Sequence, residues 1–388
     1  MTRETSQQTI VHLDVPIGGV VATPGTPVQG WLATGGSGAI GGLSLVSDQG
    51  TVVPLRAVDR PDVRRATAGL VSAGFSGWIG IRAASEGPWR VRYDQDGVTS
   101  ETAAPLVANE EQLRRFAAAK ARKLAAIRPL LRCPLCHASL GGHVPTLACP
   151  NGHEFAAQTP ERYDFLDDEL RARVGAVPTE NVSAHGYDET LLRLIAQSDG
   201  PIVDIGAGLR PEYREDVLNV EIVAYPTTDV VAASEFLPFA DDSFGLVISV
   251  AVLEHVRDPF AAARELKRIV RPGGRIFAAV PFLQPYHAYP DHYYNMTAGG
   301  LRNLFSDWDI ERLDVPLSGG PAFALTWILK AWHDALPEET ARQFADMRVA
   351  DLAVDPMTLL HQPFVKELPE AVNVQLAALN VLVGRKPD

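Results

Sequence analysis

All three cysteines of this 388-residue chain fall in one short stretch. Cys133-Pro134-Leu135-Cys136 is followed, after twelve residues, by Cys149-Pro150-Asn151-Gly152-His153, a C-x2-C-x12-C-x3-H spacing. Two such knuckles can place Cys133, Cys136, Cys149 and His153 around Zn2+, three thiolates and one imidazole in a tetrahedron. Four protein ligands leave no position for water, so the expected metal is structural, and its binding helps fold the module around it. Histidine is the second chemistry-bearing group. His255 stands alone, while His287 and His292 lie in Tyr286-His287-Ala288-Tyr289-Pro290-Asp291-His292-Tyr293-Tyr294-Asn295. Imidazole titrates near neutral pH, so each is a candidate general base. The alternative is a histidine that bonds a backbone carbonyl and only shapes the loop. Glu254, His287, Asp291 and His292 could also hold Mg2+, a less favoured use of the same residues. The third group is Val203-Asp204-Ile205-Gly206-Ala207-Gly208. The apolar run 201–205 reads as a buried strand with an acid near its end. Two glycines then let the chain turn tightly into a helix, leaving backbone N–H groups open to a ligand.

Three further signals follow in order. Glu221 ends an apolar run, as an acid closing a second strand does. Leu237-Pro238-Phe239-Ala240-Asp241-Asp242-Ser243-Phe244 runs into a strand at 245–250 and then Val252-Leu253-Glu254-His255-Val256. Arg271-Pro272-Gly273-Gly274-Arg275 turns a helix into a strand at 276–280. From about residue 182 to 388 this series resembles the class I S-adenosylmethionine (SAM) methyltransferases, in their broad small-molecule branch. The resemblance implies an α/β, Rossmann-like core and SAM as cofactor. It sets the methionine carboxylate on the backbone of Gly206, Ala207 and Gly208, the ribose diol on Glu221, and the adenine against Leu237 and Phe239. Asp204 holds the turn and the methionine amino group, and Glu254 joins the cofactor-binding set. The family commonly has Asp four residues before this Leu, where the present chain has Ala233. Ser234 or Glu235 could compensate; one lost hydrogen bond costs about 1 kcal/mol.

Two narrower resemblances bear on the acceptor. The Y-H-x-Y-P-x-H-Y-Y-N-x-T segment beginning at Tyr286 is similar to a loop of methyltransferases found with bacterial polysaccharide-biosynthesis enzymes. The cysteine module resembles the zinc ribbon of bacterial large-subunit rRNA guanine-N1 methyltransferases, through Cys133-Pro134-Leu135-Cys136-His137, Cys149-Pro150 and His153-Glu154-Phe155. Past Phe155 that likeness fades, so it implies the metal ligands and not the RNA substrate.

The elements that must position these groups divide the chain. Residues 8–105 are rich in Gly, Val and Thr, with candidate strands at 28–32, 42–46, 51–55, 77–81 and 89–93 between turn signals, the pattern of a β-sandwich. Gly30-Trp31, Asp59-Arg60-Pro61-Asp62-Val63 and Gly74-Phe75-Ser76-Gly77 look like an immunoglobulin-like module of surface-polysaccharide enzymes. Residues 106–130 form a basic linker whose helix, at 110–132, has seven Arg and Lys against Glu110 and Glu111. It is either a solvated linker or a contact for phosphate, anionic glycan or lipid headgroup. The zinc ribbon occupies 131–168. The core occupies 180–388, with its first helix from near Tyr187, a sixth strand at 309–315 and a last strand at 377–385. A helical insertion at about 320–372 is a candidate cap, in which Phe323, Trp327, Ile328 and Trp332 either cover a pocket or pack a core.

A net charge of −12 argues against a nucleic-acid grip over the whole surface. No apolar run is long enough to span a bilayer and no secretory signal is visible, so the cytoplasm is the expected compartment. The reading that joins these threads is a SAM-dependent O-methyltransferase acting on a saccharide or glycan precursor, with the sandwich meeting polysaccharide-biosynthesis enzymes. The alternatives are an RNA base methyltransferase guided by the ribbon, and a non-catalytic binding protein with a degenerate core.

Overall fold

The structure, a computed structural model, describes residues 9–67, 69–177, 186–287, 291–382 and 385. Its contacts divide the chain into two compact units, Met1–Ser249 with Arg264–Phe277, and Val250–Ala263 with Ala278–Asp388.

The first unit opens with two four-stranded sheets. One runs Ile10–Val15, Gly25–Thr34, Val71–Gly80, Arg56–Val58; the other runs Val52–Pro54, Gly41–Ser47, Trp89–Gln95, Val98–Ala104. Alternation builds their shared core: along Trp89–Gln95 the buried positions are Trp89, Val91, Tyr93 and Gln95, and the first three join Leu32, Phe75 and Ile79 of the other sheet in one core. The expected strand at 77–81 is the end of the longer Val71–Gly80, which pairs with Gly25–Thr34 throughout its length. Small residues in Val71-Ser72-Ala73-Gly74 hide its alternation from sequence.

The linker helix spans Glu110–Ile127 and is capped by Asn109, whose side chain accepts the Gln112 N–H at 3.1 Å. It stops short of 132: a 3-10 turn, Arg128–Leu130, follows it and Leu131 is extended, and Pro129 has no N–H with which to continue the α-helical ladder. Its basic character is deceptive. Helical spacing puts Phe116, Lys120, Lys123, Leu124 and Ile127 on one buried face. The Lys123 ammonium lies 2.9 Å from Asp229 Oδ2 and that of Lys120 3.8 Å from Oδ1. Lys120 also donates to the Pro226 and Thr228 carbonyls, and Lys123 to that of Val217.

A six-stranded sheet follows in the order Tyr163–Asp164, Val230–Val231, Val217–Glu221, Ile202–Ile205, Phe244–Val250, Val270–Ala279. Ile202–Ile205 is parallel to both neighbours and buried throughout. A strand buried along its whole length in this way needs cover on both faces. The strand order reverses at Ile202–Ile205, the place where open α/β sheets bind ligands. The expected first helix is Glu189–Gln197, capped by Asp188.

In the second unit, Ala298–Leu304 is helical with Thr297 as its cap. Pro321–Ala335, Glu338–Ala345 and Pro363–Lys366 share a small core of Leu336, Ala341, Phe344 and Phe364. Trp332 belongs to it and donates its indole N–H to the Phe364 carbonyl at 2.9 Å. Phe323 and Trp327 are partly exposed, at 42% and 40%. Two expectations fail here. Residues 309–315 are not a strand, and neither are 377–382; Val383 and Gly384 lie outside the described residues. Both segments carry strand-forming residues, but a strand needs a partner, and Val315, Val381 and Leu382 stay largely exposed.

Candidate functional site

The chemistry-bearing residues fall into three groups. The first is the turn after Ile202–Ile205. Gly206 and Gly208 have φ of 73° and 63°, the left-handed region that glycine enters without strain. The Gly206 and Ala207 amides both donate to the Val220 carbonyl, at 2.9 and 3.0 Å. The Gly208 amide donates to Glu221 Oε2 and the Ile222 amide to Oε1, each at 2.8 Å. Glu221 therefore fastens the turn as well as standing beside it. Burial pushes its carboxyl above the usual range, against the pull of these amides.

Asp204 is fully buried beneath this turn. Its Oδ2 accepts from the Tyr187 hydroxyl at 2.6 Å and from Arg210 Nε at 3.0 Å, and Arg210 lies 4.4 Å from the Tyr187 ring centre. Burial raises the Asp204 pKa, and Arg210 opposes that shift. Its Oδ1 has no hydrogen-bond partner among the described residues. An ammonium group is the donor such an oxygen lacks, so the residues fit the methionine end of SAM. Arg210 was not foreseen from sequence; a lone cation two residues past the second glycine is its only signal.

Leu237 and Phe239 are completely buried, Phe239 edge-on to Phe244 with ring centres 5.0 Å apart. Ala233 is buried, and the neighbouring Ser234 hydroxyl turns to Glu235 at 3.3 Å.

The second group lies wholly in the second unit. Glu254 is fully buried, and neither carboxylate oxygen has a hydrogen-bond partner among the described residues. Burial pushes its pKa up to about 8. His255 Nε2 is 3.8 Å from Glu254 Oε1. The His255–His287 and His287–His292 ring centres are 5.0 and 4.3 Å apart.

Hydrogen bonding assigns the tautomers. His255 Nδ1 lies 2.7 Å from the Asp291 carbonyl and His287 Nδ1 3.0 Å from that of Pro285, so each Nδ1 carries the proton and each Nε2 keeps a lone pair. His292 differs: its Nδ1 accepts the His287 amide at 3.2 Å, so Nε2 carries the proton and donates to Asn295 Oδ1 at 3.0 Å. Burial lowers the pKa of both His255 and His292. Residues 288–290 of the loop lie outside the described residues.

The third group is the cysteine module. Cys136 and Cys149 sulfurs are 3.7 Å apart, and His153 Nδ1 lies 3.4 Å from Cys133 Sγ and 3.3 Å from Cys149 Sγ. With Zn–S bonds of about 2.3 Å, the edge of a tetrahedral shell is about 3.8 Å, so the four side chains fit a closed shell. The Ala138 amide brings the Cys136 thiol down to about 6, while burial pushes Cys133 up to about 11. The module also grips the core: Arg132 N–H donates to the Pro238 carbonyl at 2.9 Å, and Ala240 N–H to that of Leu130 at 2.8 Å.

Residues 203–278 match the methyltransferase domain family. An uncharacterized methyltransferase of Mycolicibacterium vanbaalenii is 33% identical over 131 residues, 31% of this chain and 50% of that one. The ubiquinone/menaquinone biosynthesis C-methyltransferase of Klebsiella pneumoniae is 33% identical over 98 residues, 24% of this chain and 39% of that one. Among solved structures, a SAM-dependent methyltransferase from Mesorhizobium loti is 18% identical with a TM-score of 0.25, over 35% of this chain and 87% of that one. The chain spans about half the length, or less, of the curated relatives it matches. No helix among the described residues is long and apolar enough to cross a membrane. The turn, its two acids and the centre of the sheet fall within or beside the segment, residues 203–278, that matches the methyltransferase domain family.

Proposed function

We propose that the chain transfers a methyl group from SAM to a hydroxyl of a saccharide or glycan precursor in the cytoplasm. Bound SAM supplies an electrophilic methyl on a sulfonium. The first unit binds the donor: Asp204 Oδ1 takes the methionine ammonium, the glycine turn lies along the methionine chain, and Glu221 accepts from the ribose diol. His255 and His287 are the candidate bases for the acceptor hydroxyl. The observation that carries this is the pair of Nε2 lone pairs on His255 and His287, each fixed by an Nδ1–H bonded to a carbonyl. Either can take the hydroxyl proton as oxygen attacks the methyl carbon. His292, with both nitrogens engaged, passes from candidate base to loop support. The saccharide itself rests on the resemblance of the Tyr286–Asn295 loop. The ribbon-guided RNA reading is weakened, since two of the seven basic residues at 110–132, Lys120 and Lys123, are buried on Asp229. Within the same proposal, Zn2+ fills the cysteine shell, and the N-terminal sheets are an immunoglobulin-like docking module for polysaccharide-biosynthesis enzymes.

Tritium-methyl SAM, incubated with the protein and extract of a strain lacking its gene, tests the acceptor. Label is expected in the polysaccharide or sugar-nucleotide fraction; label in RNA overturns the proposal. Against a labelled acceptor, His287→Ala should lower kcat/KM by about 10²–10⁴-fold with the affinity for S-adenosylhomocysteine unchanged. An equal loss of that affinity would remove His287 from proton transfer. Glu221→Gln keeps one acceptor oxygen for the turn and gives up the charge offered to the ribose. Calorimetry should find S-adenosylhomocysteine bound roughly tenfold more weakly, about 1.4 kcal/mol.

A further inference from the structure

Glu254, His255 and His287 have a use beyond proton transfer. One donor atom from each lies within 4.8 Å of the others. A carboxylate sealed from water with no hydrogen-bond partner is costly to bury, and among the described residues Glu254 has none on either oxygen. The two imidazoles are arranged as metal ligands usually are, with the far ring nitrogen donating to a backbone carbonyl. This fixes the tautomer and aims the other lone pair; here the carbonyls are those of Asp291 and Pro285. Three unspent donors thus converge, one from the buried Glu254 and two from half-buried imidazoles.

We propose that Glu254, His255 and His287 form a second metal site, which takes a divalent first-row transition ion with positions left open for a substrate oxygen. Two imidazoles and one carboxylate suit zinc, cobalt or iron(II), whereas Mg2+ prefers oxygen donors throughout. The earlier Mg2+ set of Glu254, His287, Asp291 and His292 is thereby replaced. Asp291 spends its carboxylate on the Tyr293 hydroxyl at 2.9 Å, and His292 has no lone pair left. The ion uses the lone pairs that the metal-free protein offers to a proton, so in the loaded protein a hydroxyl is activated by coordination. The site goes beyond the methyl-transfer reading and does not depend on it.

The test uses the full chain with its thiolate shell already filled by Zn2+, which Co2+ does not displace. Titration with Co2+ alone should bind one further equivalent, with visible d–d absorption and no thiolate charge-transfer band. Glu254→Gln and His287→Ala should each weaken that binding at least tenfold, while Asp291→Asn retains it. Absence of the second equivalent in the native protein overturns the proposal, and so does equal binding by Glu254→Gln, a near-isosteric change that decides the matter even if His287→Ala fails to fold. Co2+ binding without methyl transfer to any fraction would leave the metal site standing and remove the methyltransferase reading alone.

Discussion

Asp229→Asn should destabilise the protein by about 3–5 kcal/mol, the cost of leaving a buried cation without its partner. Asp229 is completely buried and accepts from Lys123, the Tyr213 hydroxyl at 2.6 Å and the Asn219 amide at 2.9 Å, with Lys120 3.8 Å away. Asparagine keeps one acceptor oxygen and no charge, so two buried ammonium groups would face each other uncompensated. The same helix supplies a control. Arg122 and Glu215 pair at 2.8 Å but are 63% and 60% exposed, and Glu215→Gln should cost under about 1 kcal/mol.

The Asp229→Asn defect should also depend on pH in a definite direction. Burial already pushes Lys120 down to about 8 against the pull of Asp229, and Lys123 moves the same way for the same reason. Without the aspartate both native pKa values fall further, while the unfolded lysines stay near ~10.4. Between those limits the native state binds fewer protons than the unfolded state, so stability rises with pH. The deficit should be largest near neutrality and shrink as pH rises to the native protein's own lysine values, about 8 for Lys120, then level off because both folded states have lost the proton. Urea unfolding of both proteins at neutral and alkaline pH reads this directly; a deficit that is small and flat with pH would sink the assignment.

This network also marks the limit of what the sequence made legible. The turn at Asp204, the acid at Glu221 and the cluster of Cys133, Cys136, Cys149 and His153 are local patterns, each readable because its spacing is fixed by one turn or one knuckle. Buried lysines are not local. Nothing between 110 and 132 says that Asp229, a hundred residues on, will meet Lys120 and Lys123, and a basic helix in a linker reads as solvated. The histidines were legible as a group and not as individuals, because the tautomers that separate His292 from His255 and His287 depend on carbonyls and amides that folding brings to them. The strand signal at 377–385 shows the converse error: a short apolar run marks the capacity to pair, and pairing needs a partner.

On the proposed zinc reading, Cys149→Ala should abolish metal binding at the cysteine module and, with it, much of the order of 131–164. Small modules of this type draw about 10–16 kcal/mol from a structural zinc at neutral pH, more than so little apolar area can supply. The ribbon's own core is thin, with Leu147 and Phe155 buried beside Phe165, whose ring centre is 5.2 Å from that of Phe155. The consequence should reach the cofactor. Leu131 bridges to Phe239, and the Pro238 carbonyl and the Ala240 amide are held by Arg132 and Leu130, so the ribbon fixes one side of the 237–240 segment. Its other ties come from Glu265, which accepts the Leu237 amide at 3.1 Å, and from Arg268, which donates to the Leu237 and Phe239 carbonyls. Losing the ribbon side should therefore loosen the segment without unfolding the sheet beneath it. The expected results are faster hydrogen exchange at the Ala240 amide and at least tenfold weaker binding of S-adenosylhomocysteine, about 1.4 kcal/mol. Protection at Tyr163 to Phe165, which pairs with Val230–Val231 from the far edge of the sheet, should fall as well. Zinc-free Cys149→Ala protein that binds S-adenosylhomocysteine as tightly as the native chain would separate the ribbon from the cofactor and leave it a partner-binding module only.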